Sequence, residues 1–287
     1  MPLVPTATIV AAAGRSGSGV AAFNVLHLET AEALAAAAEQ AGAPLILSLS
    51  ENCIRYHGSL LPILRATMAV AEASPAALSV HLDHITEPGL IREGVAAGVS
   101  SVMVDASALD YGKNVAATAE TAAWCHQREV FVEAELGEIG GKDGLHAPGT
   151  RTDPDEALAF VESTGVDALA VAVGSSHAMV ERSTVLDKEL IAALRAKLPV
   201  PLVLHGSSGV PDDEIRRAIA AGMTKINIST HLVSVFTATV RHELAADPAL
   251  TDSRRYLRAA RDAVTTEAAR LLRLITGAPR ANRPSVG

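Results

Sequence analysis

The sequence predicts an α/β fold, a single (β/α)8 (TIM) barrel. Eight apolar runs of strand length recur along the chain, Ala-rich amphipathic stretches separate them, and glycines punctuate the joins. Strands that alternate with helices imply βαβ units and a parallel sheet. The composition agrees, since 49% of residues are hydrophobic but only 3% aromatic. Ala, Val, Leu and Ile carry the apolar mass, as suits helices packed on a sheet buried on both faces. The 287 residues fit one barrel of about 250 residues as well as two domains of roughly 150. No composition break marks a boundary, so residues 1–287 read as one domain, with a loose Pro-, Gly- and Arg-rich tail from about residue 275. A doubly wound open sheet is the alternative.

The elements follow in order. The start, MPLVPTATIVAAAGRSG, has no basic residue before its apolar run. It reads as a first helix capped near Thr6 or Thr8 rather than as a leader. Strands are expected over residues 20–25, 44–49, 77–82, 100–105, 130–136, 168–173, 201–205 and 224–228. Helical patterns include residues 29–41, 87–97, 114–127, 154–164, 187–197 and 211–221. Gly42, Gly98, Gly165 and Gly222 follow helix ends, where a left-handed cap is needed. Pro44 and Pro201 open strands, where a missing N–H costs little.

Several classes of function are excluded. With 24 basic against 32 acidic residues the net charge is −8, and no Lys/Arg run exists, which argues against a nucleic-acid partner. Cys53 and Cys125 form neither a disulfide framework nor a zinc-finger spacing, so reduced thiols and a cytoplasmic location are expected. No run of about 20 apolar residues exists to span a membrane.

In a barrel enzyme the chemistry sits at the C-terminal ends of the strands, and the polar residues collect there. Asn24 ends the first strand and Ser50 the second; His81, Asp83 and His84 lie on the third, Glu133 and Glu135 on the fifth. His177 follows the sixth strand, His205-Gly206-Ser207-Ser208-Gly209 the seventh, and Asn227, Ser229 and Thr230 the eighth. A lone His at a strand end is ordinarily a hydrogen-bonded structural residue. His84, His177 and His205 on one rim instead match three imidazoles with an open fourth position, the pattern of catalytic zinc. His27, His57, His126, His231 and His242 read as surface or loop residues, and His81 as an inward-pointing support for a ligand. Neighbouring strand residues face opposite ways, so Asp83 and His84 share a site only if their strand ends there. Asp83 then either orients a metal-bound imidazole or moves a proton. Each glutamate on the fifth strand is either a metal ligand or a charged partner of one. The Gly/Ser segments after strands seven and eight suit a phosphate, though each could be ordinary turn chemistry. The loop 137–150 (GEIGGKDGLHAPGT) is long and Gly-rich, as a lid would be, and carries Glu138, Lys142, Asp143 and His146.

At these residues the chain resembles the class II, metal-dependent ketose-bisphosphate aldolases. The matching segments are AFNV (22–25), HLDH (81–84), SVMVDAS (101–107), VEAELGEIGG (132–141), HGSSG (205–209) and KINIST (225–230). The likeness runs from about residue 6 to 274, nearest the tagatose-type branch. It implies catalytic zinc on His84, His177 and His205, with Glu135 at a secondary metal position. Asp83 resembles the catalytic acid at the aldehyde oxygen and Asp143 the lid carboxylate. Asn24 lies in the substrate segment, Asn227 matches the contact to the three-carbon ketone, and Gly206, Ser208, Ser229 and Thr230 match the phosphate loops. Ser50 matches a serine at the substrate's far end. A monovalent cation (Na+ or K+), a homodimer or homotetramer, and a sugar phosphate substrate are also implied. The reaction implied is reversible aldehyde-lyase cleavage of a ketose phosphate to dihydroxyacetone phosphate and an aldehyde, through an enediolate that zinc stabilises. A Schiff-base aldolase would instead need a buried lysine, and only Lys225 lies in a predicted strand.

Two departures from the family pattern bear on substrate. Glu181 stands where fructose-bisphosphate members often place a phosphate-binding Lys. The segment 264–267 also has no Arg to offer a neighbouring subunit, although Arg258, Arg261 and Arg270 lie nearby. Beside the ketose (bis)phosphate that the resemblance implies, these departures raise the alternative of a substrate whose far end is not phosphorylated or carries a different group, with a zinc-dependent barrel enzyme of another kind, or a non-catalytic relative, as rivals.

Overall fold

The computed structural model describes residues 3–136, 151–176 and 181–277. Eight parallel strands close into a barrel in chain order: β1 (Val20–Asn24), β2 (Leu45–Ser50), β3 (Leu78–Ile85), β4 (Ser101–Val104), β5 (Phe131–Glu135), β6 (Ala168–Ala170), β7 (Leu202–Leu204) and β8 (Met223–Ile228). Pairing of Val20 with Lys225 and of Ala22 with Asn227 shuts the ring, which excludes the open doubly wound sheet. β6 and β7 are shorter than the apolar runs suggest, and β3 runs three residues past its predicted end.

Alternation along the strands sorts the apolar side chains. Phe23, Leu47, Val102, Val132, Leu169 and Leu204 pack under the helices. Ala22, Ile46, Met103, Phe131, Ala170 and Val203 point into the barrel. There they meet Ile9, Val10 and Ala13 of the first helix, α1 (Thr6–Ser16), which plugs the N-terminal end. Burying Ile9 or Val10 is worth about 1.5–3 kcal/mol each. Thr6 does not cap this helix, because Pro5 is the cap residue and makes no side-chain bond. Thr6 Oγ1 instead points inward, 3.1 Å from Ser79 Oγ and 2.6 Å from Ser101 Oγ. Thr8 is exposed.

The outer layer holds α2 (Leu28–Ala41), α3 (Glu51–His57), α4 (Leu60–Ala73), α5 (Pro88–Ala97), α6 (Tyr111–His126), α7 (Pro154–Thr164), α8 (Lys188–Lys197), α9 (Asp212–Ala221), α10 (Thr230–Ala246) and α11 (Ser253–Thr276). The helices α3 and α4 fill a stretch to which the periodicity reading assigned no element. α11 runs into the segment read as a tail: Ile275 is buried, and its carbonyl accepts from Gly19 N at 3.1 Å. Residues 278–287 lie outside the described residues. No helix among the described residues is long and apolar enough to cross a membrane.

Candidate active site

The site begins with an irregularity in β3. Asp83 and His84 both reach the rim, yet the strand does not end there, as the sequence had required. It continues to Ile85, which pairs with Val104, after a register shift between Leu82 and Ile85. His84 carries φ 51, a left-handed conformation rare for a residue with a side chain. This bulge turns His84 to the same side as its neighbour. Asp83, His84 and His205 thus place one ligand atom each within 4.8 Å of one another.

The two imidazoles are oriented from behind. His84 Nδ1 lies 2.7 Å from Asp105 Oδ2, and Asp105 Oδ1 accepts from Ser107 Oγ at 2.6 Å. His205 Nε2 lies 2.9 Å from Glu133 Oε1. The remaining nitrogens, His84 Nε2 and His205 Nδ1, face each other at 2.9 Å. A carboxylate behind each ring fixes its tautomer and leaves the opposite nitrogen as the outward lone pair. Glu133 Oε2 accepts from Lys225 Nζ at 2.7 Å, and both side chains are fully buried. Lys225 is therefore a buried lysine, but one clamped by a carboxylate. Burial would raise the Glu133 carboxyl, but Lys225, the bond to His205 and His81 outweigh it and hold the group well below the carboxylate range. His81 lies deeper, with Nδ1 2.9 Å from Ser101 Oγ. Burial, reinforced by Lys225, pushes its pKa down to about 3, so the ring is neutral.

Asp83 also stays ionised. Burial would raise its pKa, but His84, His205, Lys225 and His81 together bring it below the ordinary value. Asn24 Nδ2 donates to Asp83 Oδ2 at 2.9 Å, while Asp83 Oδ1 is buried with no hydrogen-bond partner among the described residues. Asn227 lies across the rim, its Nδ2 3.2 Å from His205 Nε2 and its buried Oδ1 likewise without a partner among those residues. Two buried oxygens thus point into the site beside two outward imidazole nitrogens. That donor set fits a borderline cation such as zinc and an oxygen-rich ligand beside it. Glu135 is buried on β5 but is not a member of the three-residue cluster. Ser50 is the cap of α3, its Oγ accepting from Cys53 N at 3.2 Å.

The loops after β7 and β8 meet next to this cluster. Gly206 has φ 67 and opens a 3-10 turn over Ser207–Gly209. Ser208 Oγ accepts from Ser229 N at 3.3 Å and His231 N at 3.2 Å, at the start of α10. Ser229 caps that helix without a side-chain bond, and Thr230 is its first residue. These bonds tie the turn after β7 to the start of α10, and a helix start beside a glycine-opened turn is a place that favours an anion. An ion-pair chain supports the loops from outside. His231 Nε2 lies 2.7 Å from Glu267 Oε1, Glu267 takes two 2.8 Å bonds from Arg270, and Arg270 also bonds Asp212. Arg182 reaches Asp212 at 2.7 Å and Val210 O at 2.6 Å.

His177 and Asp143 lie outside the described residues, with Glu138, Lys142 and His146. Glu181 is exposed. Of the arginines near the C terminus, Arg270 is engaged as above, and Arg261 bonds Glu32 at 2.8 Å. Among the discounted histidines, His231 bonds Glu267 as above and His57 Nε2 lies 2.7 Å from Leu26 O. The reading from sequence missed Asp105 and Lys225 as parts of the site. Asp105 shares the inward parity of Ser101 and Met103, and Lys225 that of Asn227, so alternation held the signal for both.

A model of the family described as fructose-bisphosphate aldolase class II matches residues 4–279. The fold thus coincides with that of a known class of barrel lyases. The chain belongs to the class II fructose-bisphosphate aldolase family. It is similar to the YdjI aldolase from Escherichia coli K12 at 30% identity, covering 98% of this chain and 100% of that one, with a TM-score of 0.84. A putative fructose-1,6-bisphosphate aldolase from Coccidioides immitis is 26% identical over 96% of each chain, TM-score 0.85. The fructose-bisphosphate aldolase of Campylobacter jejuni shares the fold at 20% identity, over 96% of this chain and 95% of that one, TM-score 0.81. Family and neighbours together support aldolase activity.

Proposed function

We propose that this chain cleaves a ketose phosphate reversibly into dihydroxyacetone phosphate and an aldehyde, with a divalent zinc ion held by His84, His205 and His177. The observation that carries the proposal is the pair of outward imidazole nitrogens, each backed by a carboxylate, beside the buried Asp83 oxygen. A metal at such a site supplies Lewis-acid stabilisation of the negative charge that develops as the carbon–carbon bond breaks. Glu135 offers a secondary metal position.

The remaining work belongs to side chains of this protein. Asp83, ionised and aimed by Asn24, exchanges a proton with the oxygen that becomes the aldehyde. Asp143 serves as the acid/base at the carbon being deprotonated. Asn227 holds the three-carbon half, and Gly206, Ser208, Ser229 and Thr230 bind its phosphate through backbone amides and hydroxyls. Ser50 lies toward the far end. A monovalent cation is placed where the loops after β6 and β7 approach, beside the buried Ser175 Oγ, which has no partner among the described residues. Activity compared in sodium, potassium and a bulky organic cation tests that site. Self-association as a dimer or tetramer is supported by α10, of which only Leu232 is buried while Val233, Val235, Phe236 and Val240 are half-covered. Light scattering after gel filtration tests it.

The substrate's far end is read as unphosphorylated. Supporting this, Arg261 and Arg270 are already paired within the chain, and the acidic Glu181 stands where the resemblance would often put a phosphate-binding lysine. A coupled assay for dihydroxyacetone phosphate, offering fructose and tagatose 1-phosphates and 1,6-bisphosphates with a chelator control, decides both points. Chelator-sensitive release from a 1-phosphate supports the whole reading. Efficient cleavage of fructose 1,6-bisphosphate refutes the far-end reading, and no product from any substrate refutes the reaction.

A further inference from the structure

We infer that the buried Lys225–Glu133 pair is a positioning device for His205, setting the metal affinity of the site from inside the barrel. The inference rests on the reading of His205 as a metal ligand. The chain of contacts crosses the barrel interior, from Lys225 Nζ on β8 to Glu133 on β5 at 2.7 Å, and on to His205 Nε2, just past β7, at 2.9 Å. The side chains of Lys225 and Glu133 are fully inaccessible, and that of His205 is 1% exposed. Each carboxylate oxygen has one partner, so the carboxylate cannot turn away from the imidazole without abandoning the lysine.

The fold does not require such a pair. Removing two charges from water is expensive, and apolar residues of similar volume are often as stable or more so. The inward positions around it show this: Ala22, Met103, Ala170 and Val203 fill the same interior with apolar groups. A neutral amide or a backbone carbonyl would suffice to accept one N–H from His205. A carboxylate does more, because it polarises the ring and makes its opposite nitrogen a stronger donor to a cation. A carboxylate without a counter-ion is costly so deep in the protein, and Lys225 Nζ, 2.7 Å from Glu133 Oε2, is the counter-ion the fold places there. Lys225 thereby acts through Glu133 and His205 and is withdrawn from service as an amine nucleophile.

The test uses the full-length zinc protein. Zinc affinity is measured by competition with a chromophoric chelator, and ligand geometry by the visible spectrum of the cobalt-substituted protein. The decisive variant is E133M/K225M, which leaves no unpaired buried charge. It is expected to fold and melt cooperatively, yet to bind zinc about 10- to 100-fold more weakly, with a changed cobalt spectrum. E133Q/K225M keeps a neutral acceptor for His205 and should fall between it and the wild type. Wild-type affinity and spectrum in E133M/K225M would overturn the inference. If E133M/K225M does not fold, E133Q/K225M decides: weakened zinc binding supports the role and unchanged binding overturns it. Failure of both to fold would make the pair a structural element and overturn it too. H205A separates the two readings. If H205A binds zinc like the wild type, His205 is not a ligand and both fall. If H205A loses zinc and the double variants do not, only the positioning role falls.

Discussion

Gly206→Ala should damage stability and activity together, and the cost can be worked out from the backbone. Gly206 has φ 67, so any side chain there is in the left-handed region, which costs about 1 kcal/mol. The new Cβ would also lie 2.6, 2.7 and 2.9 Å from C, O and N of Ser176. These are backbone atoms, so nothing can rotate away, and the loops after β6 and β7 must separate by most of an ångström. Overpacking of that kind adds about 1–3 kcal/mol. Gly42→Ala is the control, since Gly42 has φ 61 with no atom within 4 Å of the added Cβ, and so bears only the backbone term. Urea unfolding of both variants isolates the steric part. Expected losses are about 1 kcal/mol for G42A and about 2–4 kcal/mol for G206A. Displacing the loop that carries Ser208 by roughly an ångström should lower turnover about 100-fold, whereas G42A keeps wild-type kinetics. G206A with the stability of G42A and near-normal turnover would refute the reasoning.

Further outcomes follow from the site. Asp83→Asn should lower kcat by about 100- to 10,000-fold while KM and bound metal change little; loss of metal instead would make Asp83 a ligand. Chelation should abolish activity, and restoring zinc to 100 times its Kd should raise unfolding stability by about 2.7 kcal/mol, read as a higher melting midpoint. Burial would raise the Glu267 carboxyl, but its bonds to Arg270 and His231 lower it from 4.5 to about 2. The stabilisation it gives is thus complete above about pH 4.5 and is lost as pH falls toward 2, so urea midpoints of wild type and E267Q should differ at neutral pH and converge in acid. Burial pushes the Cys53 and Cys125 thiols up to about 11, so a thiol reagent at pH 8 should label the native protein far more slowly than the unfolded chain.

The barrel was legible because the strands are short, apolar and followed by helices, four of which (α2, α5, α7 and α9) end on the glycines that mark them, and such units have few ways to close. Boundaries were less so. Val171 and Val173 extend an apolar run past β6 and pack into the core as strand residues would, but the backbone leaves the ladder at Ala170. Thr6 has the chemistry of a cap, yet a polar interior at Ser79 and Ser101 competes for it and wins. The polar rim was legible wherever alternation could be counted from a strand start: Asn24, Ser50, Asp83, Glu135, His205 and Asn227 share the inward parity of their strands. What alternation cannot convey is partnership. Glu133 and Lys225 come together from opposite parts of the sequence, and only closure of the barrel makes an ion pair of them.

His84 shows where the two levels separate. By parity it belongs with Val80 and Leu82 in the layer under the helices, and a regular β3 would bury its imidazole there away from the rim. The chain avoids this with a single left-handed residue and a shifted register, and still recovers the ladder at Ile85. Strain of this kind costs about 1–3 kcal/mol and persists only where surrounding contacts hold it. Here the contact is the 2.7 Å bond from His84 to Asp105, itself fixed by Ser107. The HLDH segment thus contains two incompatible instructions for an ideal strand, Asp inward and His inward, and the bulge is the backbone's resolution of them. A sequence reader can see the conflict, because adjacent residues both demand the same face. That conflict marks the functional segment more sharply than either residue alone.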